Sequence, residues 1–384
     1  LTSGQLLPMN IGIIGAGIGG LTAAIALRQQ GHSVHLIEQA SVLAEVGAAV
    51  SLWPNALAAL DRLGLEGPVL AQGQWEDDGA LRRPSGDPYW IFKNSNLLIL
   101  RPSLQQVLLL ALGQDPPLTL GSRCTGVTSL SEGPTVILDD NTTHEFDLVI
   151  GADGIRSAVR AAIAPGENAA SYSGSTAWRA VVHAPGLVPT AWLTVGRGLH
   201  FLAAPLPKGD VYWSPLVKIP VSEVEVIDDQ LGFVRRSFGA WHDPIPELLD
   251  RTDSEACFAT PVYFRPPPTW LYRDRVVLIG DSAHPMTPDL GQGACQAIED
   301  AVVLADCLIP SRSIEASLAD FTARRLKRVR RIVREARFLG KLNSSKSRMS
   351  ELARISMFKL TPSAYSERHL QEISGRGALE AQMP

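Results

Sequence analysis

Three blocks of different hydrophobic period open the chain. Asn10 to Ile14 is a short apolar run, Leu21 to Gln30 carries Leu21, Ala24 and Ile25 on one helical face, and Ser33 to Ile37 alternates before ending at Glu38. Short continuous or alternating runs suit strands, whereas recurrence every three or four residues suits a helix. Gly31 stops the helix, so the predicted order is strand, helix, strand, with Gly15-Ala16-Gly17-Ile18-Gly19-Gly20 at the first joint. The eight residues before Met9 are set outside the fold.

That joint has the chemistry of a dinucleotide site. Gly15 permits the tight turn, Gly17 lets backbone N–H groups approach a pyrophosphate, and Gly20 lets the helix pack close on the strand. The helix N-terminus turns its positive dipole end toward the phosphates. Glu38, eighteen residues after Gly20, is placed to accept hydrogen bonds from a ribose. This unit leaves NAD(P) and FAD both open.

Two further apolar runs end in glycine turns. Leu148 to Ile150 leads into Gly151-Ala152-Asp153-Gly154 and a helix start at Arg156-Ser157-Ala158, where Ser157 reads as an N-cap. Arg275 to Ile279 leads into Gly280-Asp281-Ser282-Ala283-His284, then Pro288 and Gly291-Gln292-Gly293-Ala294, before a helix with Ala297, Ile298, Ala301 and Leu304 on its apolar side. Gly291 and Gly293 bring N–H groups to the start of that helix, where negative charge is stabilised. Asp281 suits a second ribose or ribityl hydroxyl.

Between these motifs the pattern changes to strands. Ser171 to His183, Ala191 to Thr194, Gly198 to Pro205 and Val211 to Val217 are separated by Gly186, Pro189, Gly196 and the Pro207 to Gly209 turn. A helix over Asp228 to Trp241 and a strand over Ala256 to Phe264 follow. Beyond Leu342, Ser347 to Leu360 and Ser366 to Ile373 read as helices with no chemical signature.

Composition narrows the class. At 384 residues the chain is long enough to divide into two joined parts and enclose a large cofactor. No run of eighteen uncharged apolar residues exists, so no membrane span is expected. Cys124, Cys257, Cys295 and Cys307 lack metal-ligand spacing and no secretory leader precedes them, so a cytoplasmic protein without a metal is expected. Between Arg324 and Lys341, nine Lys or Arg stand against Glu335 alone. Val329, Ile332, Val333, Ala336 and Leu339 recur at helical spacing there, so the cations are expected largely on a solvated face, not on nucleic acid.

Together the three glycine motifs, in this order, resemble the class A flavoprotein monooxygenases over roughly residues 9 to 340. The resemblance implies an α/β fold with a Rossmann-like FAD-binding domain built on a parallel sheet, a mainly antiparallel β-sheet substrate domain and C-terminal helices. The expected division is 9–170 with 265–345 for FAD, 171–264 for substrate, and a helical extension over 346–384. It further implies non-covalent FAD, NADH or NADPH as a transient co-substrate, and O2. A flavin C4a-hydroperoxide would then hydroxylate an aromatic or heteroaromatic small molecule.

Cofactor contacts are expected from Gly15, Ala16, Gly17, Ile18, Gly19, Gly20, Glu38 and Gln39, and from Val50 and Ser51 in the segment Gly47 to Asn55. The rest are Arg101, Cys124, Asp153, Gly154, Asp281, Pro288, Gly291, Gln292, Gly293 and Ala294. Arg156 is a candidate for assisting NAD(P)H, and His284 for packing near the cofactor. No second glycine fingerprint and no Cys-x-x-x-x-Cys pair is present, which separates the chain from disulfide reductases.

On the substrate side the candidates are Arg179 for a carboxylate or phenolate, and His200 and Tyr212 for a substrate proton. Segments Val46 to Asn55 and Thr287 to Asp300 look particularly like the urate hydroxylases, which use a catalytic arginine where this chain has His200; urate is therefore not expected. An alkene epoxidase, a non-oxygenating FAD reductase or dehydrogenase, and a non-catalytic binding protein remain alternatives on the same fold. The expected assembly is a monomer or homodimer.

Overall fold

The computed structural model describes residues 8–43, 48–309, 311–380 and 382. Its first sheet has six strands in the order Tyr272–Arg273, Val276–Leu278, Leu148–Gly151, Asn10–Ile14, Ser33–Ile37 and Leu118–Thr119. Pairing is parallel except between the first two. Strands buried on both faces read as near-continuous apolar runs, which is why Leu148 to Ile150 and Val276 to Leu278 lack alternation. The helix after the first strand spans Ile18–Gln29, three residues earlier than its apolar face alone suggested. It packs against the helix Gly293–Cys307, the second wall of the same core.

The second sheet has eight strands, ordered Phe258–Phe264, Ser171–His183, Asp210–Lys218, Leu199–Pro205, Ala191–Val195, Gln74–Arg82, Pro88–Leu100 and Ala49–Leu52. It is antiparallel except where Ala191–Val195 meets Gln74–Arg82. Three of its strands come from residues 49–100, so the sheet is not confined to 171–264 as the domain boundaries anticipated. The strand foreseen over Ala256 to Phe264 begins at Phe258, because Ser254–Ala256 forms a 3-10 turn. A three-stranded sheet, Cys124–Thr128, Thr135–Leu138 and Thr143–Glu145, completes the β structure among the described residues.

Strand alternation divides the large sheet into two unlike faces. Trp178, Ala180, Phe201, Ala203, Trp213 and Val217 pack beneath the helices Gln230–Phe238 and Ile245–Asp250. Val181, Leu202, Ala204 and Tyr212 lie on the other face, with Ala49, Leu98 and Leu100 from the strands nearest the glycine motifs. The helix Ile314–Asn343 spans both parts and is followed by Arg348–Leu360 and Ser363–Ser374, close to the expected C-terminal helices.

Candidate functional site

Three loops meet at the carboxyl ends of the parallel strands, where open α/β sheets bind cofactors. In the first, Gly15 has φ +103°, and an added Cβ would stand 2.5 Å from the Ala152 carbonyl oxygen. Gly17 is different: a Cβ there would meet no protein atom within 4 Å. It is the N-cap of the Ile18–Gln29 helix, with no side-chain cap and no acid in the first turn. Open first-turn N–H groups beside an open glycine fit a pyrophosphate. Glu38 is fixed at the turn by accepting from the Ala16 N–H at 2.8 Å and the Ala40 N–H at 2.9 Å. Gln39 is exposed beside it.

In the second loop Asp153 accepts from the Ser157 hydroxyl at 2.5 Å and from the Val159 N–H at 3.1 Å, and Ser157 caps the Ala158–Ile163 helix as foreseen. Burial raises the Asp153 carboxyl, with these hydrogen bonds opposing. Burial, and then the charge of Asp153, push the neighbouring Cys124 thiol up to about 11, so it is an unreactive contact and not a nucleophile. Gly154 has φ +74°. Arg156 is exposed, whereas Arg160, which sequence reading passed over, is buried and donates to the carbonyls of Ser282 and Ala283 at 2.9 Å each. Arg160 thereby joins the second loop to the third.

In the third loop the Asp281 side chain is exposed, yet the protein around it raises its carboxyl by desolvation, with His284 and Arg101 opposing. Arg101, whose N–H donates to the Ala48 carbonyl at 2.9 Å, comes from the start of the helix Arg101–Ala111. Gly291, at φ +61°, approaches Trp53 so closely that an added Cβ would lie 3.1 Å from its Nε1. Trp53 Nε1 and Gln292 Nε2 are buried without hydrogen-bond partners around this turn. Val50 and Ser51 are half-buried beside it, and Gly293 and Ala294 begin a helix that has neither a side-chain cap nor a first-turn acid. Unpaired polar atoms, an open helix start and close backbone approach fit the polar edge of a flavin. Of the segment Gly47 to Asn55, Gly47 lies outside the described residues.

Behind this turn lies a buried polar network. Arg325 donates to Asp300 at 2.6 Å and also pairs with Glu299. Arg328 donates to Glu299 at 2.8 Å, and His284 Nε2 meets Asp300 at 2.6 Å. Asp300 also accepts the Gly280 N–H at 2.9 Å, and Asn55 joins Gln292 to Glu299. The expected solvated basic strip holds for most of its cations and fails at Arg325, which is fully buried with Arg328 half-buried beside it, because Glu299 and Asp300 from another helix turn that part of the strip inward. His284 packs near the third motif as expected, as a partner of Asp300.

Arg179, His200 and Tyr212, far apart in sequence, share the sheet face turned away from the Trp178 and Trp213 core. His200 pairs in register with Leu216, and Tyr212 with Val181 and Ala204. Arg179 falls between the inward-packed Trp178 and Ala180, so alternation directs it to the same face as Tyr212. Burial, then the charge of Arg354, hold His200 down at about 4, and its Nδ1 has no partner.

A neutral buried histidine has a stability consequence. The unfolded chain takes up this proton near 6.5 and the folded chain only near 4. The contribution is therefore complete above pH 6.5 and is lost as pH falls toward 4. His200→Gln is expected to show a shallower fall of thermal midpoint across that window than the parent. Parallel melting curves check this, and equal slopes would refute it.

The comparisons with known proteins agree with this geometry. Residues 13–49 match the NAD(P)-binding Rossmann-like domain and residues 269–336 the FAD binding domain. The chain is 36% identical to the aurachin C monooxygenase/isomerase of Stigmatella aurantiaca over 374 residues, covering 94% of this chain and 97% of that one. It is 34% identical to an FAD-dependent urate hydroxylase of Klebsiella pneumoniae over 346 residues, covering 85% and 88%. The structure of Klebsiella pneumoniae HpxO complexed with FAD and uric acid superimposes with a TM-score of 0.87 at 29% identity, covering 97% of each chain. Glycine loops, open helix starts and near full-length relatives agree: this chain belongs to the class A FAD-dependent aromatic monooxygenase family.

Proposed function

We propose that the protein is an FAD- and NAD(P)H-dependent monooxygenase that hydroxylates an aromatic or heteroaromatic small molecule. The observation carrying this reading is the junction of a dinucleotide cradle with a second sheet whose face bears Arg179, His200 and Tyr212. Relatives named as monooxygenases and hydroxylases across most of the chain support it over reduction or epoxidation.

When bound, FAD supplies hydride acceptance from NAD(P)H and activation of O2. The chain's own residues bind and orient. The turn from Gly15 to Gly20, with Ala16, Ile18 and Gly19, holds the pyrophosphate through backbone N–H groups, and Glu38 with Gln39 takes the ribose. Val50, Ser51, Arg101, Cys124, Asp153, Gly154, Asp281 and Pro288 line the remainder. Gly291, Gln292, Gly293 and Ala294 offer N–H groups to negative charge on the ring. Arg179 holds an anionic oxygen, Tyr212 hydrogen-bonds a substrate hydroxyl, and neutral His200 orients a polar group without adding charge. Arg156, exposed at the second loop, assists NAD(P)H.

The working division is 9–170 with 265–345 for FAD and 171–264 for substrate, the latter extended by the strands of 49–100, with helices over 346–384. Four buried free cysteines suit a reducing cytoplasm, with a monomer or homodimer as the assembly. Among the described residues no helix is long and apolar enough to cross a membrane. An oxygen electrode tests the function with yellow holoprotein, NADH or NADPH, and a panel of phenols and N-heterocycles. The expected result is coupled loss of NAD(P)H and O2 that rises sharply with one compound and yields a hydroxylated product. Turnover without O2 uptake would replace this reading with a reductase.

A further inference from the structure

The outward face of the helix Arg348–Leu360 is unusual for a helix packed on a folded protein. Arg354 and Ile355 are buried beneath it, whereas Met349, Leu352 and Leu360 are 79%, 56% and 80% exposed. These three recur at helical spacing on the side turned away from the core, which polar residues ordinarily fill. The one acid of this helix, Glu351, lies on the inner side, paired with Arg197 at 2.9 Å and with its side chain only 20% exposed. Arg348 and Lys359 flank the apolar stripe and Lys346 precedes it, all three exposed.

The preceding helix, Ile314–Asn343, packs on this one and carries the same combination. Phe338 is 59% exposed and lies one turn from the exposed Arg334 and Lys341. Among the described residues Lys327, Arg334, Lys341, Lys346, Arg348 and Lys359 form no ion pair. Residues 327–360 hold eleven Lys or Arg against Glu335 and Glu351, so the segment is +9 in a chain of −4 and the remainder is −13. A molecule so divided is drawn to an anionic surface only with this segment foremost.

Cations alone would suit any polyanion. Large aliphatic side chains within the cationic face narrow the choice, because they gain from entering a bilayer interface and offer nothing to a nucleic-acid phosphate. We propose that these two helices form a docking surface for the anionic leaflet of a lipid bilayer. Met349, Leu352 and Leu360 enter the interface, and the surrounding cations meet lipid phosphates. The protein lies on the bilayer and does not cross it, since among the described residues no helix is long and apolar enough to span.

The test is co-sedimentation of the flavin-loaded protein with vesicles of phosphatidylcholine alone and of phosphatidylcholine mixed with phosphatidylglycerol. Partition into the anionic vesicles is expected to be at least about tenfold stronger and to weaken as salt is raised. Leu352→Ser combined with Leu360→Ser is expected to lower it about tenfold, with melting and flavin content unchanged because both side chains are exposed. Lys346→Gln, Arg348→Gln and Lys359→Gln together are expected to reduce the preference for the anionic vesicles. No partition of the parent, or partition that the serine variant retains in full, would overturn the proposal. Retention on duplex RNA without vesicle binding would assign the face to nucleic acid instead. Self-association abolished in the serine variant, without vesicle binding, would assign it to a second copy of this chain.

Discussion

Gly20→Ala is expected to yield a colourless protein. The added methyl would stand 1.9 Å from the Gly15 carbonyl oxygen and 3.4 Å from the Ala152 side chain. The first obstacle is backbone, and it is pinned, because the Gly15 N–H donates to the Ile37 carbonyl at 2.8 Å. The Ile18–Gln29 helix must therefore lift from the sheet, moving the first-turn N–H groups away from the pyrophosphate. Overpacking of this kind costs on the order of 1–3 kcal/mol, enough for a tenfold or greater loss of FAD affinity. The flavin-to-protein absorbance ratio after gel filtration measures it, and full FAD occupancy would defeat the packing argument.

Gly17→Ala separates ligand contact from folding. Its φ of −71° is ordinary for any residue, and no protein atom waits within 4 Å of the new methyl. The apoprotein should melt as the parent does, while FAD binds more weakly because the methyl occupies space that the phosphates approach. The same glycine motif thus contains one position set by helix packing and another set by the ligand.

The glycine motifs were legible because each marks a place where backbone must approach backbone or ligand, and local sequence is enough to state that. The strands of 74–100 were not legible. Gln74–Arg82 carries Glu76, Asp77, Asp78 and Gly79, which argue against a strand until Pro88–Leu100 and Ala191–Val195 flank it on both sides. Glu76 is buried there because it accepts the Ala191 N–H at 2.9 Å, a partner 115 residues away. Arginines misled for the same reason. Nothing local to Arg325, Arg160 or Arg354 distinguishes them from surface cations; their burial depends on carboxylates and carbonyls supplied by distant elements. The candidate substrate face was partly legible: the strands bearing Arg179, His200 and Tyr212 were foreseen, whereas their common face depends on pairings between distant strands.

Arg325→Met is expected to destabilise the protein by roughly 3–5 kcal/mol, because removing one partner leaves buried carboxylates uncompensated. Burial alone would raise Glu299 and Asp300. The charges of Arg325 and Arg328 outweigh it for Glu299, and those of His284 and Arg325 for Asp300, so both sit at about 2. Their folded values lie below the ordinary 4.5 and 3.8, so the stabilisation is present above those values and is lost as pH falls toward 2. Without Arg325 the two carboxyls rise toward or beyond their unfolded values, and the variant has little of this contribution left to lose. Its deficit in thermal midpoint should therefore be greatest near neutrality and narrow on acidification below pH 4.5. FAD should be released more readily as well, since Asp300 holds the Gly280 N–H and Glu299 holds Asn55 against Gln292. A deficit that stays constant with pH would mean that Arg325 acts through packing alone, and the charge network would then have no part in holding the flavin loop.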